Sequence, residues 1–174
     1  SQVQKMQAAG CDMIALGTII RETIGAIGTA RKMGYNPTFI GSTAAYTDLI
    51  HKLGGAAMNG FYAVNAYQTP YLDAVSQPVR FWATKYMTKY NEEPSVFSVY
   101  GYVMIDLFAQ VATKAGANLN TDSFIKVLEA TKFPRDMFGG PEQTFSPTKH
   151  LGSDASRLSQ IVNGRWTVVS DYDK

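Results

Sequence analysis

Along the first 67 residues, short continuous apolar runs alternate with stretches in which apolar side chains return every three or four positions. Ser1 to Gly10 reads as a helix, with Ser1 and Gln4 spaced as a capping box and Gly10 as its stop. Asp12 to Gly17 (Asp-Met-Ile-Ala-Leu-Gly) is the kind of run expected for a strand buried on both faces. From Glu22 to Met33 the positions Ile24, Ile27, Ala30 and Met33 fall at spacings of three, which predicts an amphipathic helix closed by Gly34. Thr38 to Gly41 is the next strand, a short helix follows near Tyr46 to Leu53, and Gly54-Gly55 stops it before a strand at Gly60 to Tyr67. This alternation predicts an α/β fold with a doubly wound parallel sheet.

The pattern then breaks. Gln68 to Pro78 carries two of the prolines without periodicity, as a linker or a crossing between lobes does. Three helices are expected beyond it, at Val79 to Tyr90, Ser98 to Ala115 and Asp122 to Thr131, the last capped by Thr121 or Asp122. In the second, Asp106, Gln110 and Lys114 form the one polar line and almost every other position is apolar, aromatic or Gly, so the helix requires burial on most of its circumference. Phe138 to Leu151 is a Gly/Pro/Ser/Thr-rich loop. Arg157 to Val162 and Arg165 to Ser170 flank Asn163-Gly164, a strong hairpin signal because both turn positions need positive φ.

Length and composition narrow the classes. At roughly 150 residues per domain, 174 residues supply one full core but not two. The formal charge is +2 and no stretch concentrates Lys or Arg, which argues against a nucleic-acid partner. No apolar run approaches the roughly 18 residues of a membrane span, so a soluble protein is expected, and the first ten residues lack the apolar block of a secretory leader. The single cysteine, Cys11, has no intrachain partner and reads as a small buried hydrophobe.

A search for reactive chemistry returns little. His51 and His150 are a hundred residues apart without acidic or Cys partners at ligand spacing, so no metal site is expected; Asp48 and His51 read as one solvated helix surface. Gly25-Ala26-Ile27-Gly28 lies inside a helix, where it serves packing and not pyrophosphate, and no cofactor is expected. Gly41-Ser42-Thr43-Ala44-Ala45 places its Ser one position too early for a nucleophile elbow and lacks the second Gly, so no catalytic residue is assigned. What the chain does carry is polar and aromatic residues at the carboxyl ends of its parallel strands, where open α/β sheets place ligands: Thr18 to Arg21, then Ser42, Thr43 and Tyr46, then Asn65 and Tyr67.

The order of these elements resembles the second lobe of the type I periplasmic solute-binding proteins, the branch that includes branched-chain amino acid receptors of ABC transporters. The resemblance rests on Gln7-Ala8-Ala9-Gly10, Asp12 to Gly17, Ala30-Arg31-Lys32-Met33-Gly34 leading to Phe39-Ile40-Gly41-Ser42, and Gly60-Phe61. It continues through Pro94-Ser95 and Ser98-Val99-Tyr100-Gly101-Tyr102 to Gly139-Gly140-Pro141, Phe145-Ser146-Pro147 and Asn163-Gly164-Arg165-Trp166. It implies that residues 1–66 form lobe two, that 67–153 are helices and a loop belonging to lobe one, and that 154–174 return as a hairpin to lobe two. The chain then looks like a C-terminal portion, and the apolar helix would be covered by the missing N-terminal lobe, a swapped copy or an oligomer.

The resemblance further implies a periplasmic or extracytoplasmic solute-binding component that grips a small molecule between two lobes and presents its closed form to a membrane permease of an ABC transporter. Members that bind α-amino acids commonly place an acidic side chain in the loop that here reads Gly41-Ser42-Thr43-Ala44, and this loop has none. An ammonium buried without a counter-charge is costly, so an aromatic or other organic acid fits better than a branched-chain amino acid. Ile19, Ile20, Tyr46, Tyr67 and Tyr100 would then line the site, Thr18, Ser42, Thr43 and Asn65 would give neutral hydrogen bonds, and Arg21 would meet the carboxylate. A ligand-sensing domain of a receptor or regulator is the alternative of another class; an enzyme on a flavodoxin-like sheet lacks an assembled reactive cluster.

Overall fold

In the computed structural model, which describes residues 1–172, the chain divides into two units: Ser1–Ala66 together with the segment from Ser156, and Tyr67–Ala155. The first unit begins with α1 (Gln2–Ala8), whose Ser1–Gln4 capping box is formed, and Gly10 takes φ 70° to end the turn. Then β1 (Met13–Leu16), α2 (Ile20–Lys32), β2 (Thr38–Gly41), α3 (Leu49–Gly54) and β3 (Tyr62–Asn65) alternate as the periodicity predicts. β1, β2 and β3 are parallel neighbours. The chain comes back with β4 (Arg157–Val162) and β5 (Arg165–Val168), which extend the sheet antiparallel in the order β1-β2-β3-β4-β5. Asn163 and Gly164 make the turn with φ 51° and 72°, the positive pair that an Asn-Gly hairpin requires.

The register stacks side chains in rows across the sheet. Ile14, Phe39, Ile161 and Trp166, one each from β1, β2, β4 and β5, together with Phe61 just ahead of β3, form a buried apolar row. Two residues nearer the carboxyl ends of the parallel strands the same face carries Gly41, Ala63 and Ser159, and two further on it carries Asn65 directly opposite Arg157. The face therefore grades from large apolar through small to polar as it reaches the rim at the carboxyl ends of the parallel strands.

The second unit holds α4 (Gln77–Tyr90), α5 (Val96–Ala115), α6 (Thr121–Ala130) and a long loop. Val79, Val99 and Phe138 make its core, with Trp82 set edge-on to Phe138 at 4.9 Å, and Phe108 meets Phe124 between α5 and α6 at 5.2 Å. The loop is tied by its own polar groups. Asp136 Oδ1 accepts from the Phe138 and Gly140 amides at 2.9 Å, and Lys149 Nζ donates to Thr144 and Gly152 carbonyls.

Several expectations are corrected. α6 is capped by Asn120 and not by Thr121 or Asp122, because Ser123 at the third helical position returns the bond to the Asn120 amide, closing a reciprocal pair. α5 begins at Val96, two residues earlier than the periodicity implies, because Ser95 and Ser98 form the same kind of box. Cys11 is half-buried and not a core residue. Val96–Asn118 is, by length and composition, apolar enough to cross a membrane, which an uninterrupted-run criterion misses because Gly, Ser, Asp and Gln are scattered through it. Within this chain only Val96, Val99 and Val111 of α5 are buried, and Phe97, Met104, Ile105 and Phe108 stand exposed.

Candidate functional site

The rim of the first unit is built by the turns that follow β1, β2 and β3. Leaving β1, the chain passes Thr18 and enters α2, whose first turn carries Arg21 and Glu22. The half-buried Thr18 hydroxyl is 2.7 Å from that of Thr23, which is fully buried one helical turn on, so this hydrogen bond fixes the entry of α2. Ile19 is exposed beside it and Ile20 is half-buried. After β2 the Ser42 amide donates to the Leu16 carbonyl, drawing the two strand ends together, and Thr43–Ala45 forms a single 3₁₀ turn. Ser42, Thr43 and Ala44 are exposed on that turn, with no ionisable group among them.

The expected site residues divide into three groups. Thr18, Ile19, Ser42 and Thr43 lie at the carboxyl ends of adjacent parallel strands and present surface there. Tyr46 and Asn65 lie at the same edge but inside the unit: Tyr46 stacks on Trp166 at 4.8 Å between ring centres, and Asn65 Oδ1 accepts from the Ser159 hydroxyl at 2.8 Å. Tyr67 and Tyr100 belong to the second unit, where their rings meet edge-on at 5.7 Å and Gln143 donates to the Tyr67 hydroxyl. Gly140 lets this happen, since a Cβ there would fall 2.3 Å from the Tyr67 ring. Arg21 is 93% exposed and its guanidinium is held by Glu22 at 3.2 Å, an arrangement that leaves it little preorganised for a ligand carboxylate.

One rim residue escapes sequence reading. Arg157 opens β4 across from Asn65, is only 8% exposed, and rests its guanidinium over the Tyr172 ring at 4.7 Å. A period-two reading of the hairpin could have found it, because Ile161 and Ser159 point inward and Arg157 shares their phase.

Asp48 and His51 do not form the solvated helix surface expected of them, since Asp48 is buried and His51 half-buried. His51 lies on α3 close to Asp48, which pairs with Lys52 at 2.7 Å. Burial lowers the His51 pKa below its ordinary value, aided by Lys52 and Arg165 and opposed by Asp48. Among the described residues no group of three His, Cys, Asp or Glu side chains is placed to hold a metal ion.

A family model described as periplasmic binding protein matches residues 1–165. No curated protein matches the sequence. Among solved structures, a branched-chain amino acid ABC transporter protein from Thermus thermophilus with bound valine is 14% identical, with a TM-score of 0.82 over 99% of this chain and 48% of that one. A fatty acid ABC transporter substrate-binding protein from Thermomonospora curvata is 20% identical, with a TM-score of 0.81 over 99% and 46%. A leucine-binding protein from Thermotoga maritima is 18% identical, with a TM-score of 0.75 over 97% and 47%. The chain thus spans about half the length of these structures.

Proposed function

The chain belongs to the periplasmic binding protein family, and from that premise we propose that it is the C-terminal portion of an extracytoplasmic solute receptor that delivers a small organic acid to the permease of an ABC transporter. In this reading the first unit is lobe two of the receptor, and its strand rim, with Thr18, Ser42 and Thr43, is its share of the ligand site. The helices of the second unit are covered by the sheet of lobe one, which satisfies the exposed α5 stripe. Burying each Phe- or Ile-sized side chain of that stripe is worth about 1.5–3 kcal/mol. The receptor works by binding and not by chemistry: ligand favours the closed form, and the permease distinguishes that form from the open one.

The ligand class rests on one observation. The 3₁₀ turn after β2 presents Ser42, Thr43 and Ala44 at the rim with no carboxylate among them; Asp48, at the end of the same loop, is buried and paired with Lys52, and Glu22 of the neighbouring turn is held by Arg21. The similar structures include one of a branched-chain amino acid ABC transporter protein with bound valine, a leucine-binding protein and one named for a fatty acid, so the fold is compatible with ligands with and without an ammonium. Exposed loop residues that offer an ammonium no counter-charge favour the latter. Thermal unfolding of the full-length protein tests this against a panel of aromatic acids, aliphatic acids and amino acids. The expected result is a raised Tm with one or more simple carboxylic acids; a rise with leucine-like amino acids alone overturns it.

A further inference from the structure

We infer that Arg157 is the carboxylate-recognition residue of this rim; the inference rests on the organic-acid reading above. Arg157 is nine-tenths buried, and its Nε and Nη2 have no hydrogen-bond partner among the described residues. These two donors share one edge of the guanidinium plane. Together they form the side-on fork whose spacing matches the two oxygens of a carboxylate, the strongest pairing a guanidinium makes. An arginine cannot escape the cost of burial by losing its proton, so an enclosed fork without an acceptor is a site prepared for an anion.

The surroundings hold the fork still. The register sets Arg157 directly across from Asn65 at the carboxyl end of β3, the edge at which α/β sheets take ligands. Asn65 is itself engaged by the Ser159 hydroxyl, so it does not compete for the guanidinium. Tyr172 lies under the guanidinium plane, and its hydroxyl donates to the Ala66 carbonyl, which fixes the ring and leaves the two in-plane donors of the fork enclosed and, among the described residues, unpaired. Arg21, by contrast, is exposed and already paired with Glu22.

The test compares wild type with Arg157→Met and Arg157→Lys in the full-length protein, by calorimetric titration with benzoate, phenylacetate and octanoate and with the corresponding primary amides. For whichever acid wild type binds, Arg157→Met is expected to weaken binding about 30-fold or more and Arg157→Lys about 10-fold, with binding of the amide unchanged. Without ligand, Arg157→Met is expected to be at least as stable as wild type, since it removes a buried, unsatisfied charge; a structural arginine would give the opposite sign. In wild type the Arg157 Nε–H proton resonance should move downfield on addition of the acid, a readout that holds even where a variant fails to fold. Acid binding that is unchanged in Arg157→Met, or an unmoved resonance at saturation, overturns the assignment and leaves the organic-acid reading standing. Failure of wild type to bind any of the acids overturns that reading, and the assignment with it.

Discussion

Gly41 is where the last residue of β2 meets the aromatic core. A Cβ built there would lie 2.6 Å from Phe61 Cζ and 3.0 Å from the Ala45 Cβ, so the position requires glycine for close approach and not for its φ. Gly41→Ala is expected to cost about 1–3 kcal/mol in urea unfolding, because the ring is fixed by its contact with Trp166. His51 sets a pH dependence. Its folded pKa lies below the ordinary value of 6.5, so the unfolded chain binds the extra proton first. Its contribution to stability is therefore present above about pH 6.5 and is lost as the pH falls through the folded pKa. Denaturant midpoints between pH 7.5 and 5 should decline, and His51→Gln should flatten that part of the decline. Sequence reading reaches such residues unevenly. It places Asn65 and Tyr46 at the strand rim, but their distance from solvent depends on Ser159 and Trp166, which arrive from a hairpin about a hundred positions away.

Among the elements, the C-terminal hairpin does the most to close the first unit. Trp166 Nε1 donates to the Thr47 carbonyl at 2.9 Å while its ring packs on Tyr46 and Phe61. This contact explains why α3 starts at Leu49 and not near Tyr46: Tyr46 and Thr47 are held by β5, and local periodicity carries no trace of a distant strand. Trp166→Phe removes one of the two donors to the Thr47 carbonyl, the Ile50 amide remaining, and a loss of about 0.5–1.5 kcal/mol is expected in chemical denaturation. Where the signal is local, the chain is legible. The spacing of Ile24, Ile27 and Ala30 gives α2, and Asn163-Gly164 gives the hairpin, because the backbone preference of two residues suffices to form that turn. The three parallel strands were equally readable, whereas the joining of β4 to β3 required knowing which sheet edge was free.

For the molecule as a whole, α5 exposes an apolar stripe of Phe97, Met104, Ile105 and Phe108. The 174-residue chain expressed alone is expected to self-associate in light scattering, and replacing Met104 and Ile105 by Glu should return it towards a monomer; a monodisperse wild-type monomer would show that this face needs no cover. On the function proposed above, the receptor would grip an acid that carries no ammonium. L-Phenylalanine and 3-phenylpropanoate share a ring, a chain and a carboxylate and differ in the α-ammonium alone. Calorimetric titration of the full-length protein with this pair is predicted to give the tighter binding with 3-phenylpropanoate. Preferential binding of L-phenylalanine would contradict the account.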